Sequence, residues 1–153
     1  MRISPSSPVS RASGPPDTAP GSVSFDYAVL RVVPRVERQE CINVGVIVFC
    51  LEKRYLAAKV TVDERRLYAL WPEIDVEMVR RHAEAVVRLC EGDVEAGPIA
   101  QLSQRERFHW LISPRSTVMQ TSTGHTGVCS ATESVKELES VLERLFEQLV
   151  ATL

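Results

Sequence analysis

The sequence predicts a single α+β domain, and three observations carry that prediction. Strand-like segments come in runs, with helical patterns bunched between and after them instead of alternating one for one. Residues 44–51 (VGVIVFCL) are apolar at nearly every position, as a strand covered on both faces in the middle of a sheet must be. Two later segments space their apolar residues at the period of a helix. The expected architecture is an antiparallel or mixed sheet of about five strands, with about three helices on one side of it.

Taken in order, residues 1–22 are rich in Pro, Ser and Gly and offer little to bury. They read as a disordered tail or an overlong start, leaving 23–153 as the domain, with order beginning at Ser24 or Phe25. Residues 25–33 (FDYAVLRVV) are β-branched and aromatic, a first strand closed by Pro34, which has no N–H to give to a ladder. A charged connector over 35–40 leads to the second strand, 44–51, where Gly45 implies close approach by another backbone or side chain. The polar step Glu52-Lys53-Arg54 joins it to a third strand over 55–62, so these two form a hairpin. Asp63 is placed to cap a short helix over 64–71 that Pro72 stops. A second helix starts after Asp75. Its apolar face is Val76, Val79, Ala83, Val86, Val87 and Cys90, its outer pairs are Glu77/Arg81 and Glu84/Arg88, and Gly92 is its stop.

Residues 91–103 read as a loop. Two more strands are expected over 108–112 and 117–122, joined by the turn Ser113-Pro114-Arg115-Ser116. On the first of these, Phe108, Trp110 and Ile112 face the core, so Arg107 and His109 share the opposite face. A glycine-flanked loop over 124–127 carries His125. Ser130 and Glu133 have capping-box spacing and open a last helix whose stripe is Val135, Leu138, Leu142, Leu145 and Leu149.

Composition bounds the function more than it names it. With 153 residues, 44% hydrophobic and 25% charged, the chain has the makeup of one soluble globular domain. No apolar run approaches the roughly 18 residues that cross a bilayer, and no secretory leader is read, so the expected location is the cytoplasm. The four cysteines form no C-x-x-C pair and have no histidine at zinc-finger spacing, so no metal is expected, and Cys50 and Cys90 read as small buried hydrophobes. A net charge of −2 gives no overall attraction to nucleic acid. The glycine-rich nucleotide loops and the H-E-x-x-H metal motif are missing, so no cofactor is expected.

The chemistry concentrates in 105–127 (RERFHWLISPRSTVMQTSTGHTG) and in the connector after the first strand. Arg35, Arg38, Arg107 and Arg115 converge if the connector lies beside the 107–122 hairpin. Guanidinium forks then bind phosphate or carboxylate through paired hydrogen bonds. The plainer reading pairs these arginines with Glu37, Glu40 and Glu106 as solvated ion pairs. His109 and His125 are the candidate acid and base, although no nucleophile motif accompanies them. Asn43 and Gln120 offer amides to a ligand, or Asn43 satisfies backbone where the connector enters the sheet. Ser116 and Thr117 form an anion nest or a bare turn, and Trp110 and Tyr27 read as core aromatics.

Three segments together, 25–50, 104–127 and the helix end LERLFEQLV, resemble a bacterial family known as domain of unknown function 3037. The matching polar positions are Arg31, Pro34, Arg35, Glu40, Asn43 and Gly45, then Arg107, His109, Trp110, Pro114, Arg115, Ser116, Gln120, His125 and Gly127. Cys41 stands where an aromatic residue is more typical. The resemblance implies a small stand-alone protein and, since some members are encoded beside one, a partner resembling the HipA-type kinase fold. It implies no activity. The leading expectation is therefore a non-catalytic module recognising an anionic ligand or a protein partner through Arg31, Arg35, Asn43, Arg107, Arg115, Ser116 and Gln120. The alternative is a metal-independent enzyme on a phosphate-containing or nucleotide substrate, with His109 or His125 as acid/base and Arg107 and Arg115 stabilising charge.

Overall fold

A computed structural model describes residues 21–130 and 135–151. The tail expected over 1–22 lies outside these residues as far as position 20, and Ser22 already belongs to the first strand. Five strands form one antiparallel sheet: β1 (Ser22–Val32), β2 (Ile42–Cys50), β3 (Tyr55–Val60), β4 (Met119–Thr121) and β5 (His125–Ser130). β2 pairs with β3 on one side and β1 on the other, and the short turn between β2 and β3 makes the expected hairpin. β1 is long enough for two short strands to share its far edge. β4 takes the end at Leu30–Val32 and β5 the end at Ser22–Tyr27.

The helices cover both faces of the sheet, which corrects the expectation that they gather on one side. α4 (Lys136–Leu149) packs Leu138, Val141, Leu142, Leu145 and Phe146 against Val23, Phe25, Val46, Val48 and Cys50. The opposite face, carrying Ile47, Phe49 and Leu56, is covered by α2 (Val76–Glu91) and α3 (Gln104–Leu111). α1 (Glu64–Leu70) adds Leu67 to the same side, against Leu30, Val32 and Val44. The alternation of 46, 48 and 50 with 47 and 49 is why β2 reads as apolar throughout: each face of the strand has its own core.

Caps fix the helix ends that the sequence marks. The Asp63 carboxylate accepts from the N–H groups of Arg65 and Arg66, and Asp75 accepts from Met78. Gly92 ends α2 in the left-handed region at φ 74°. The outer pairs on α2 differ from those expected: Arg80 holds Glu77 and Glu64, and Arg88 reaches forward to Asp93.

One expected strand is a helix. Residues 104–111 form α3, so Phe108 and Leu111 face the core at helical spacing, while Trp110 stays 41% exposed. Ser103 caps it by accepting from the N–H of Glu106. The segment at His125, expected as a loop, is β5. Ser130 ends that strand instead of capping the last helix, which starts at Lys136; Glu133 lies outside the described residues.

β1 and β2 slip by one residue between Leu30 and Arg31, so that Leu30 faces Gly45 but Arg31 faces Asn43. Val44 is the extra residue, a β-bulge of the kind that re-aims neighbouring side chains. At Gly45 a Cβ atom would stand 2.7 Å from Val60 Cγ1 and 3.0 Å from the carbonyl of Lys59, the close approach that its glycine implied.

Candidate functional site

The bulge brings a polar row onto the face that α4 covers elsewhere. Asn43, Arg31 and Gln120 are successive cross-strand partners on β2, β1 and β4. Asn43 is spent on structure: its amide donates to the carbonyl of Leu149 at the C-terminal end of α4, 3.0 Å away. It thus satisfies backbone, at the end of a distant helix and not at its own connector. Arg31 and Gln120 line a cavity of about 320 Å³ together with Arg115, Ser116, Gln39, Cys41, Val33 and Val36. The connector reaches this cavity by a 3₁₀ turn at Val36–Arg38. Gln39 follows it in the left-handed region, at φ 59°.

The electrostatics of this cavity are one-sided. No carboxylate is among its lining residues. Among the described residues neither Arg31 nor Arg115 makes an ion pair. The Nε of Arg31 is shielded from solvent and has no hydrogen-bond acceptor among the described residues. An unpaired, desolvated donor of this kind costs free energy unless something arrives to accept from it. Arg115 is held in place by its own neighbours. Its two Nη atoms donate to the carbonyls of Leu111 (3.1 Å) and Trp110 (2.8 Å), and its guanidinium lies 4.3 Å over the Trp110 ring. These anchors fix the group without neutralising its charge.

The other predicted residues go elsewhere. Arg35 pairs with Glu37, and Arg38 with Glu40, as exposed ion pairs beside a separate small hollow, which is the plainer of the two expectations. Arg107 is buried at 8% exposure, a correction to its expected place on an open strand face. It donates from Nη1 to the carbonyls of Leu89 (2.7 Å) and Cys90 (2.8 Å) and from Nε to Leu102 (3.0 Å), and so closes the C-terminal end of α2.

The two histidines are not brought together. His125 is exposed on β5 with its ring 5.2 Å from that of Tyr27, a half-buried residue against the α4 core. His109 is exposed on α3, on the opposite side of the sheet, in a shallow cleft of about 370 Å³ with Asp26, Glu52, Arg105 and Thr126. Arg107 and Arg115 reach neither. Among the described residues no group of His, Cys, Asp or Glu is placed to hold a metal ion.

The cysteines divide as burial dictates. Cys50 and Cys90 are buried in the two cores, and burial pushes the Cys90 thiol up to about 12, against the opposing pull of Arg107. Cys41 is exposed at the cavity.

A second hollow adjoins the first. It measures about 220 Å³ and is walled mainly by apolar side chains from α2, α3 and the other face of the sheet, Leu30, Val86, Leu89, Leu111 and Met119 among them. Arg115 and Gln120 line both hollows. Sequence reasoning missed the contribution of Gln39 and Cys41, for which no local signal exists. It also missed the stacking of Arg115 on Trp110, which the five-residue spacing across a helix end makes possible.

No curated protein and no solved structure matches this chain. Among the described residues no helix is long and apolar enough to cross a membrane. A family model does match, over residues 27–150, which takes in all five strands, β1 in part, and all four helices. The chain belongs to the family described as Protein of unknown function (DUF3037).

Proposed function

We propose that this protein is a non-catalytic binding module whose ligand is an anion, taken up between Arg31 and Arg115. The observation that carries the reading is the pairing of two uncompensated guanidinium groups in a cavity without a carboxylate, one of them with a shielded and unsatisfied Nε. Phosphate and carboxylate present the acceptor pairs that a guanidinium fork satisfies. Ser116 and Gln120 supply neutral polar groups beside them. An acidic side chain of a protein partner offers the same chemistry. A partner resembling the HipA-type kinase fold, in a bacterial cytoplasm, is the finer form of this reading that the family resemblance suggests.

The test is calorimetric titration of the full chain with inorganic phosphate and with pyrophosphate, at low and moderate salt. Saturable binding is expected, weakening as salt rises. Arg31→Met with Arg115→Met should reduce affinity by about tenfold or more, in line with the loss of charge-assisted hydrogen bonds. Unchanged affinity in the double variant, or no saturable binding of either anion, would overturn the reading.

A further inference from the structure

We infer that the anion carries a compact apolar group, an aromatic ring or a branched alkyl chain, which occupies the hollow between α2, α3 and β4. This rests on the proposed anion site and adds the chemistry of the rest of the ligand. β4 is the outermost strand at its end of the sheet, and its Gln120 lines both hollows. Arg31 and Gln120 lie on one side of it, and Leu30 and Met119 on the other. Arg115 and Gln120 belong to both walls, so a ligand that reaches the guanidinium of Arg115 from either side is already at the mouth of the other hollow.

The two hollows are complementary in kind. The first holds the charge and little apolar surface to bury. The second is walled by Leu30, Val86, Leu89, Leu111 and Met119, with His82, Thr117 and Thr121 among its polar lining residues. Small-ligand sites are mostly apolar with a few convergent polar groups that fix orientation, in clefts of about 300 Å³ and up. The second hollow has that lining at only about 220 Å³, and the first adds room and a second guanidinium. The Trp110 ring, beneath the Arg115 guanidinium, is a further aromatic surface on the second hollow.

The experiment compares phenyl phosphate with inorganic phosphate on the full chain, by calorimetry and by fluorescence in a Trp71→Phe background where Trp110 is the single reporter. Phenyl phosphate should bind about tenfold or more tightly, as burial of a ring in an apolar hollow implies, and should change Trp110 emission. Ala85 is exposed on α2 and lines the hollow, so Ala85→Trp fills it without disturbing the core. That variant should bring phenyl phosphate down to the affinity of inorganic phosphate and leave inorganic phosphate itself unchanged. Equal affinity for the two anions in the parent chain, or a preference that survives Ala85→Trp, overturns the inference while the anion site stands. Arg31→Met with Arg115→Met separates the two failures: anion binding that ignores both arginines overturns the underlying reading as well.

Discussion

Arg107 and Arg31 are both drawn into the protein, and they end in opposite circumstances. Arg107, on α3, meets two backbone carbonyls at the end of α2, where a helix leaves its last acceptors without partners, and a third, that of Leu102, just before α3. Arg31, in the middle of the sheet, keeps an Nε that no acceptor reaches among the described residues, in a cavity without a carboxylate. In the sequence both are cations beside apolar residues, Arg31 between Leu30 and Val32 and Arg107 just before Phe108. Their donors distinguish them: where every hydrogen bond is answered from within, the arginine holds the fold together, and where one is left open the residue is available to something else.

Breaking the first of these should have the largest effect. Arg107→Ala leaves the carbonyls of Leu89, Cys90 and Leu102 facing a buried gap, and a loss of about 3 kcal/mol is expected, of the order found when one partner of a buried polar network is removed. Urea unfolding should show a lowered midpoint at unchanged slope, and a loss under about 1 kcal/mol would mean that water replaces the guanidinium.

Gly92 sharpens the same contrast. Its φ of 74° disfavours any side chain, and a Cβ there would stand 3.2 Å from Arg107 Nη1. Gly92→Ala should cost about 1–2 kcal/mol. Part of that cost should disappear in the Arg107→Ala background, where only the backbone strain remains, so a double-mutant cycle reads the contact directly.

The Arg31 side of the comparison predicts a smaller change. Arg31→Met removes an unsatisfied donor and fills similar space, so stability should shift by less than about 1 kcal/mol in either direction. A loss as large as that of Arg107→Ala would show that Arg31 is structural after all.

The smallest effect is nil at neutral pH. Burial raises the Cys90 thiol from 9.0 to about 12 and the Tyr55 phenol from 10.0 to about 12. The folded chain therefore keeps these protons while the unfolded chain loses them, and the linkage slope is negative. Stability should be flat below pH 9 as far as these groups are concerned, then fall as the pH climbs toward 12. Cys90→Ala should shrink the fall in the thiol's ordinary range to what Cys129 contributes, since burial raises that thiol too, seen as urea midpoints that decline less steeply there.

Much of the architecture was legible because local signals and burial agree. Asp63, Asp75 and Gly92 sit at the helix ends where their chemistry places them, and the two-faced apolar run of β2 announced helices on both sides even though one side was expected. α3 was misread because Phe108, Trp110 and Ile112 also fit a two-residue alternation, and a short apolar run does not separate the two periods. The S-x-x-E spacing of Ser103 and Glu106, a helix-start signal, was present and outweighs that alternation in the fold. β5 escaped notice because its residues are largely exposed and it is held by the edge of β1 and not by burial. Of the site, Arg115, Ser116 and Gln120 are marked by their chemistry and Arg31 by the family resemblance, and the four share a cavity. Arg35, Arg107, His109 and His125 were marked on the same grounds and do not join it, since which side of a sheet a residue occupies follows from long-range pairing that no window of sequence contains.

That dependence on pairing comes to a point at Val44. The slip between β1 and β2 turns Val44 toward Leu67 and Val79 and leaves Asn43 to face the end of α4 beside Arg31. Closing the slip with Val44 kept would pair that residue with Arg31 and invert everything before it, driving the Asn43 amide among leucines and valines and turning Ile42 to the arginine's face. The cavity therefore depends on where the two strands fall out of step as much as on any side chain in it.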